Sequence, residues 1–169
     1  MFFDGTRARR ADVVGDLGAG WAVVQSTLGF ERAAAGRATT MLVLAREREL
    51  AALVALARAN GRNSDPLVRQ GLARAHTQVR LLRASWERTV AEVRAGRRPG
   101  AQMSVWKLQW SEYHTWFGQL ALEISGGSSL VRPQGDGYPL DPWQDAFLVA
   151  QSGTIYAGTS DVQRNIIGE

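Results

Sequence analysis

A carboxylate stands where an apolar side chain is expected, near the start of the longest helical pattern in the chain. Steps of three and four residues join Trp21, Val24, Leu28, Glu31, Ala35, Ala38, Leu42, Ala45, Glu49, Ala52 and Leu56, the spacing of one helix face. Glu49 belongs to the charged run Arg46-Glu47-Arg48-Glu49, which predicts that the stripe turns toward solvent there. Glu31 has Arg32 beside it but is otherwise bounded by Leu28, Gly29, Phe30, Ala33, Ala34 and Ala35. Taking a lone ionised carboxylate out of water is costly, so a glutamate in such a stripe is either paired or used. The structural alternative is a Glu31 satisfied by a neighbouring arginine or by water.

A second candidate lies at the other end of the chain. Ser160 and Gln163 have the Ser-x-x-Gln spacing of a capping box, so a last helix is expected to start at Ser160. Gly158 and Thr159 then lie just before a helix N-terminus, where amide N–H groups and hydroxyls suit an anion or a nucleotide. The pattern is weak by itself, since most capped helix starts bind nothing.

Composition narrows the partners. The 169 residues suffice for one domain or one large piece of a bigger protein, and 45% apolar with 21% charged residues describes a globular chain. No apolar run approaches the length of a membrane span and the first residues lack the pattern of a signal peptide, so no membrane partner is expected and the cytoplasm is. There is no cysteine, and His76 and His114 are far apart in sequence, so no metal site is expected. The net charge of +4 comes almost wholly from arginine, with Lys107 the one lysine. The arginines are spread along the chain, so the focused basic face of a nucleic-acid binder is missing. A moderate positive charge also suits a polyanionic small molecule such as a nucleotide or coenzyme A.

The elements that must position these residues read as helices. Residues 2–5 look like the tail of a strand, 7–10 like a basic connector, and Gly15, Gly18 and Gly20 like an approach to the long helix. The expected division is therefore 1–17, the remnant of a preceding β-domain and its connector, and 18–169, a helical domain. The long helix ends at Asn60-Gly61-Arg62-Asn63. A second opens on Asp65-Pro66 and carries Val68, Leu72, Ala75, Val79, Leu82, Trp86, Val90 and Val93 on one face. A third, from about Gln102 to Ser125, buries Met103, Trp106, Trp110, Tyr113, Phe117, Leu120 and Ile124, an aromatic stripe better explained by core packing than by a ligand. His114 and Trp116 fall off that stripe and read as surface or interface. A loop rich in Gly and Pro follows, of a length that is usually functional or disordered, and then Asp141-Pro142 starts a short helix. The fold class is all-α, an up-and-down four-helix bundle.

The two ends of this pattern carry a resemblance. The ending from Thr154 through Tyr156-Ala157-Gly158-Thr159-Ser160-Asp161-Val162-Gln163-Arg164 to Ile167 closely resembles the C-terminal signature of acyl-CoA dehydrogenases. The stretch from Gly18-Ala19-Gly20-Trp21 to Leu28-Gly29-Phe30-Glu31-Arg32 resembles the family's entry into its C-terminal helical domain, and Tyr138 to Trp143 is similar to actinobacterial members. The resemblance covers essentially the whole chain.

It implies an FAD enzyme in which a carboxylate removes the α-proton of an acyl-CoA while hydride leaves the β-carbon for the flavin. It also implies an N-terminal helical domain and a middle β-domain, so that this chain alone would hold FAD weakly or not at all. By the same resemblance Thr159, Ser160 and Asp161 contact the FAD adenosine, Gly158 lies beside the thioester, and Phe30 and Arg32 line the acyl pocket with Glu31. Arg58 with Gly61 partly matches a motif for the pyrophosphate of a neighbouring subunit's FAD, and Gly126 and Gly127 belong to the cofactor contacts. The motif's usual phenylalanine is missing, and Glu123 stands where glutamine is common. Ala157 occupies the position of the family's usual catalytic glutamate, and alanine takes no proton. A minority of members put the base in the Glu-Arg pair that Glu31 and Arg32 match. The expected partners are an acyl-CoA substrate and other subunits, the same or different, in a dimer or tetramer. The competing expectation is a non-catalytic helical oligomerisation subunit beside a catalytic homologue.

Overall fold

The computed structural model describes residues 2–97, 100–131, 137 and 139–168, and for residues 28–40 the backbone alone. Among them are five α-helices and no strand: α1 Gly20–Ala59, α2 Pro66–Arg94, α3 Gln102–Ser125, α4 Pro142–Gly153 and α5 Ser160–Gly168. The chain divides into two compact units, Met1–Met41 and Leu42–Glu169.

In the first unit, residues 2–5 form no ladder; a 3-10 turn at Arg10–Asp12 follows, its Asp12 held by Arg9 at 2.9 Å. Trp21 and Val24, the first two members of the α1 stripe, are exposed. The side chains of Phe30, Glu31 and Arg32 lie outside the described residues.

The second unit is an all-α up-and-down bundle built around α3. Asp65 caps α2 by accepting from the Leu67 amide at 2.9 Å, with Pro66 in the first turn, and Asp141 caps α4 in the same way, its box closed by Gln144. The Leu67 N–H above all, with Arg62 beside it, holds the Asp65 carboxyl below its ordinary pKa. A short turn at 60–65 reverses the chain between α1 and α2 through Gly61 at φ 66°, a conformation open to glycine.

α3 is buried on most of its circumference because α2, α4 and α5 all pack on it. Trp106, Trp110, Tyr113, Phe117, Leu120 and Ile124 are buried as their spacing predicts. Gly118 lets α4 approach, since a Cβ there would lie 2.9 Å from the Phe147 Cα. On α2 Val68, Ala75, Val79 and Leu82 of the stripe are buried and Leu72 partly so, after which Thr89 is buried and Val93 is exposed.

In the second unit the buried face of α1 is offset by one residue from the predicted stripe. Val43, Arg46, Leu53 and Ala57 are buried and Leu50 partly so, while Ala52 is exposed. Leu42 and Leu56, the predicted members, only flank that face. The helix period alone does not separate two adjacent stripes when both are rich in Ala and Leu. Among the described residues no helix is long and apolar enough to cross a membrane.

Candidate functional site

The segment from Thr154 to Asp161 is tied to the bundle through its backbone. Gly153 ends α4 against Trp110, where a Cβ would stand 3.1 Å from the indole, and the Tyr156 ring lies 6.1 Å from the same indole. The chain then enters the left-handed region at Ala157, φ 54°, and Gly158, φ 90°. For alanine this conformation is strained, and it persists only where neighbours hold it.

Two buried side chains hold it. Gln163 Nε2 donates to the Ala157 carbonyl at 2.9 Å, and Lys107 Nζ donates to the Gly158 carbonyl at 2.7 Å. The φ of Gly158 favours glycine, and a Cβ there would push Gln163 Nε2 off the Ala157 carbonyl.

The cap of α5 differs from the sequence expectation. Thr159, not Ser160, is the capping residue: its hydroxyl accepts from the Val162 amide at 3.3 Å and its carbonyl from the Gln163 amide at 2.9 Å. Gln163 reaches past the cap to Ala157, and so the predicted Ser160–Gln163 box does not form. Ala157 and Thr159 are exposed, and Gly158 and Ser160 are half-buried. Asp161 is exposed and paired with Arg164 at 3.0 Å.

The remaining predicted cofactor residues lie at the other end of α3. Arg58 is exposed in the last turn of α1, and Gly126 ends α3 with φ 62°, followed by Gly127 in a 3-10 turn. Asn60 Nδ2 donates to the Ile124 carbonyl at 3.1 Å and Arg62 Nη1 to that of Glu123 at 3.4 Å, joining the α1–α2 turn to the end of α3. Arg62, Asp65, Leu67, Val68, Leu120 and Glu123 line a cavity of about 290 Å³ there. From Lys107 to Ile124 the helix rises about 25 Å at ~1.5 Å per residue. Arg58, Gly126 and Gly127 therefore lie at the opposite end of α3 from Thr159, Ser160 and Asp161.

Sequence reasoning missed a buried polar cluster between α1 and α3. Arg46 Nη2 pairs with Glu49 Oε1 at 2.8 Å, and His114 Nε2 stands 3.5 Å from Glu49 Oε2. Glu49 is half-buried instead of turning to solvent, and His114 is buried instead of lying on the surface. Trp116 is half-buried, with the Arg74 guanidinium 4.2 Å over its ring. Burial lowers the Arg46 pKa against the opposing pull of Glu49, and burial raises that of the Tyr113 phenol. Arg46 Nε and Nη1, Tyr113 OH and His114 Nε2 have no hydrogen-bond partner among the described residues. The one available signal was that Arg46 continues the Val43, Leu50, Leu53, Ala57 face at three-four spacing.

Residues 18–169 match the acyl-CoA dehydrogenase C-terminal domain, and the chain belongs to that family. Over its whole length it is 40% identical to the acyl-CoA dehydrogenase IpdE1 of Mycobacterium tuberculosis, of which it covers 42%. The Tcur3481-Tcur3483 steroid ACAD is similar in fold, with a TM-score of 0.77 and 24% identity over 99% of this chain and 43% of that one. The FAD complex of PigA gives 0.71 and 22% over 92% of this chain and 39% of that one. The chain thus spans about two fifths of the length of the relatives it matches.

The residues around the start of α5 fit one end of an FAD molecule. Thr159 and Ser160 bring hydroxyls, the first turn brings amide N–H groups, and the Asp161 carboxylate suits the hydroxyls of a ribose better than a phosphate.

Proposed function

We propose that this chain is the C-terminal helical part of an FAD-dependent acyl-CoA dehydrogenase acting in the cytoplasm, and that it works only with the N-terminal helical and β-domains that the resemblance implies. The observation that carries the reading is the separation of the two cofactor groups along α3. Thr159, Ser160 and Asp161 would hold the adenosine of one FAD, while Arg58, Gly126 and Gly127, about 25 Å away by the rise of α3, would reach the FAD of a neighbouring subunit. A dimer or tetramer of like or unlike subunits follows from that division.

Bound FAD would supply the hydride acceptor. The chain's own part is to place the thioester beside Gly158 and to remove the α-proton. Ala157 has no group for that step, which leaves the Glu31 carboxylate as the base, with Phe30 and Arg32 walling the acyl group. An apolar pocket would strengthen Glu31 toward a carbon acid.

Ala157 also favours a second reading, a helical oligomerisation subunit without catalysis beside a catalytic homologue. The two separate when this chain is combined with the missing domains, loaded with FAD and mixed anaerobically with acyl-CoA thioesters. Loss of the oxidised flavin band supports the dehydrogenase. A stable assembly whose flavin is never reduced supports the second reading.

A further inference from the structure

Lys107 is the one lysine of the chain, and its side chain is used in an expensive way. Its residue is only 8% exposed, it belongs to no ion pair among the described residues, and its ammonium makes one hydrogen bond, to the Gly158 carbonyl at 2.7 Å. Burial pulls its pKa below the ordinary lysine value. A methionine of similar length would fill the same volume without the cost of burying a charge. The chain keeps the charge and spends it on one carbonyl.

A peptide's N–H lies opposite its C=O. Gln163 holds the Ala157 carbonyl and Lys107 the Gly158 carbonyl, so two successive peptide planes are fixed from the core side. The amides of Gly158 and Thr159 then point the other way, and neither donates to another described residue. Ala157 is held at φ 54° by the same two contacts.

We propose that Lys107 is a positioning residue for the reaction: through the Gly158 carbonyl, and with Gln163, it sets the backbone against which the thioester lies. This rests on the acyl-CoA reading above. Lys107 touches neither substrate nor cofactor, and it acts by removing the freedom of two peptide planes. Such a residue serves the rate of the chemical step more than the affinity for substrate, because small misplacements of a reacting group cost rate.

The test uses Lys107→Met, Lys107→Arg and Gln163→Leu in the flavin-loaded enzyme that contains this chain. Lys107→Met should lower the rate constant of flavin reduction at least about tenfold while the acyl-CoA Kd moves less than about threefold, and Lys107→Arg, which keeps a cationic donor, should recover most of the loss. Gln163→Leu should behave like Lys107→Met. Unchanged reduction in Lys107→Met, or a loss that follows a fall in melting temperature in all three variants, overturns the proposal. In the chain alone, Lys107→Met should speed hydrogen exchange of the Ser160 amide, which donates to the Thr154 carbonyl at 3.1 Å, with the core amides of α3 unchanged. Unchanged exchange at Ser160 also overturns it. If the wild-type enzyme is reduced by no acyl-CoA while the Ser160 amide responds, the pin exists and the dehydrogenase reading is what fails.

Discussion

His114 Nε2 faces Glu49 Oε2 at 3.5 Å, on the far side of a carboxylate whose other oxygen pairs with Arg46 Nη2 at 2.8 Å. One half-buried glutamate thus stands between a buried guanidinium and a buried imidazole, and it compensates the charge that α1 carries into the bundle. Glu49→Gln leaves Arg46 buried without a counter-charge and should destabilise the chain by about 1–3 kcal/mol, below the ~3–5 expected of a fully buried pair because Glu49 keeps some contact with water. Arg46→Met combined with Glu49→Gln should recover most of that loss. Urea unfolding of the three chains decides it, and a double variant no better than Glu49→Gln would mean that the pair is not the source of the effect.

The contact between α3 and α4 at Gly118 sets the second prediction. A Cβ there meets backbone, the Phe147 Cα at 2.9 Å, so α4 must shift to admit it. Gly118→Ala should cost about 1–3 kcal/mol in urea unfolding, although alanine is the better helix former. Gly127→Ala, with open space around the site, should be near neutral and is the control. Equal stabilities of the two variants would contradict the close approach.

Much of this fold was legible in the sequence, and the failures share one cause. The caps Asp65-Pro66 and Asp141-Pro142 and the aromatic face of α3 act within a few residues, so local spacing predicts them. The offset of the α1 face, the burial of His114 and the half-burial of Glu49 depend on which neighbours arrive, and three of them do arrive at α3. Gln163 is a case between the two. Its spacing from Ser160 fits a capping box, but the left-handed turn at Ala157 and Gly158 puts a free carbonyl within its reach. Lys107 gave no local signal, because its partner lies 51 residues on. The family was legible in the ending from Thr154 to Ile167, and the site residues, Glu31 as base among them, remain proposals drawn from the sequence.

Lys107 also makes a pH prediction. Its pKa is lowered in the fold by burial, from an ordinary 10.5, so the unfolded chain keeps the proton to higher pH than the folded one. Between the two values unfolding takes up a proton, and stability contributed by this residue rises with pH. Against Lys107→Met, the wild-type chain should therefore gain in relative stability as pH is raised from neutral toward that ordinary value. Urea unfolding of both chains at several pH values checks it, and a gap that is flat or moves the other way would contradict the assignment.

The most direct measurement is anaerobic flavin reduction by an acyl-CoA in the complete, FAD-loaded enzyme, with Glu31 and with Glu31→Gln. Glutamine keeps the shape and removes the base, so the rate constant should fall by roughly a hundredfold to ten-thousandfold while flavin content and acyl-CoA binding are retained. Glu31→Gln with Ala157→Glu asks in addition whether a base at the left-handed turn can take over. Near-normal reduction in Glu31→Gln would make Glu31 a structural residue and contradict the account.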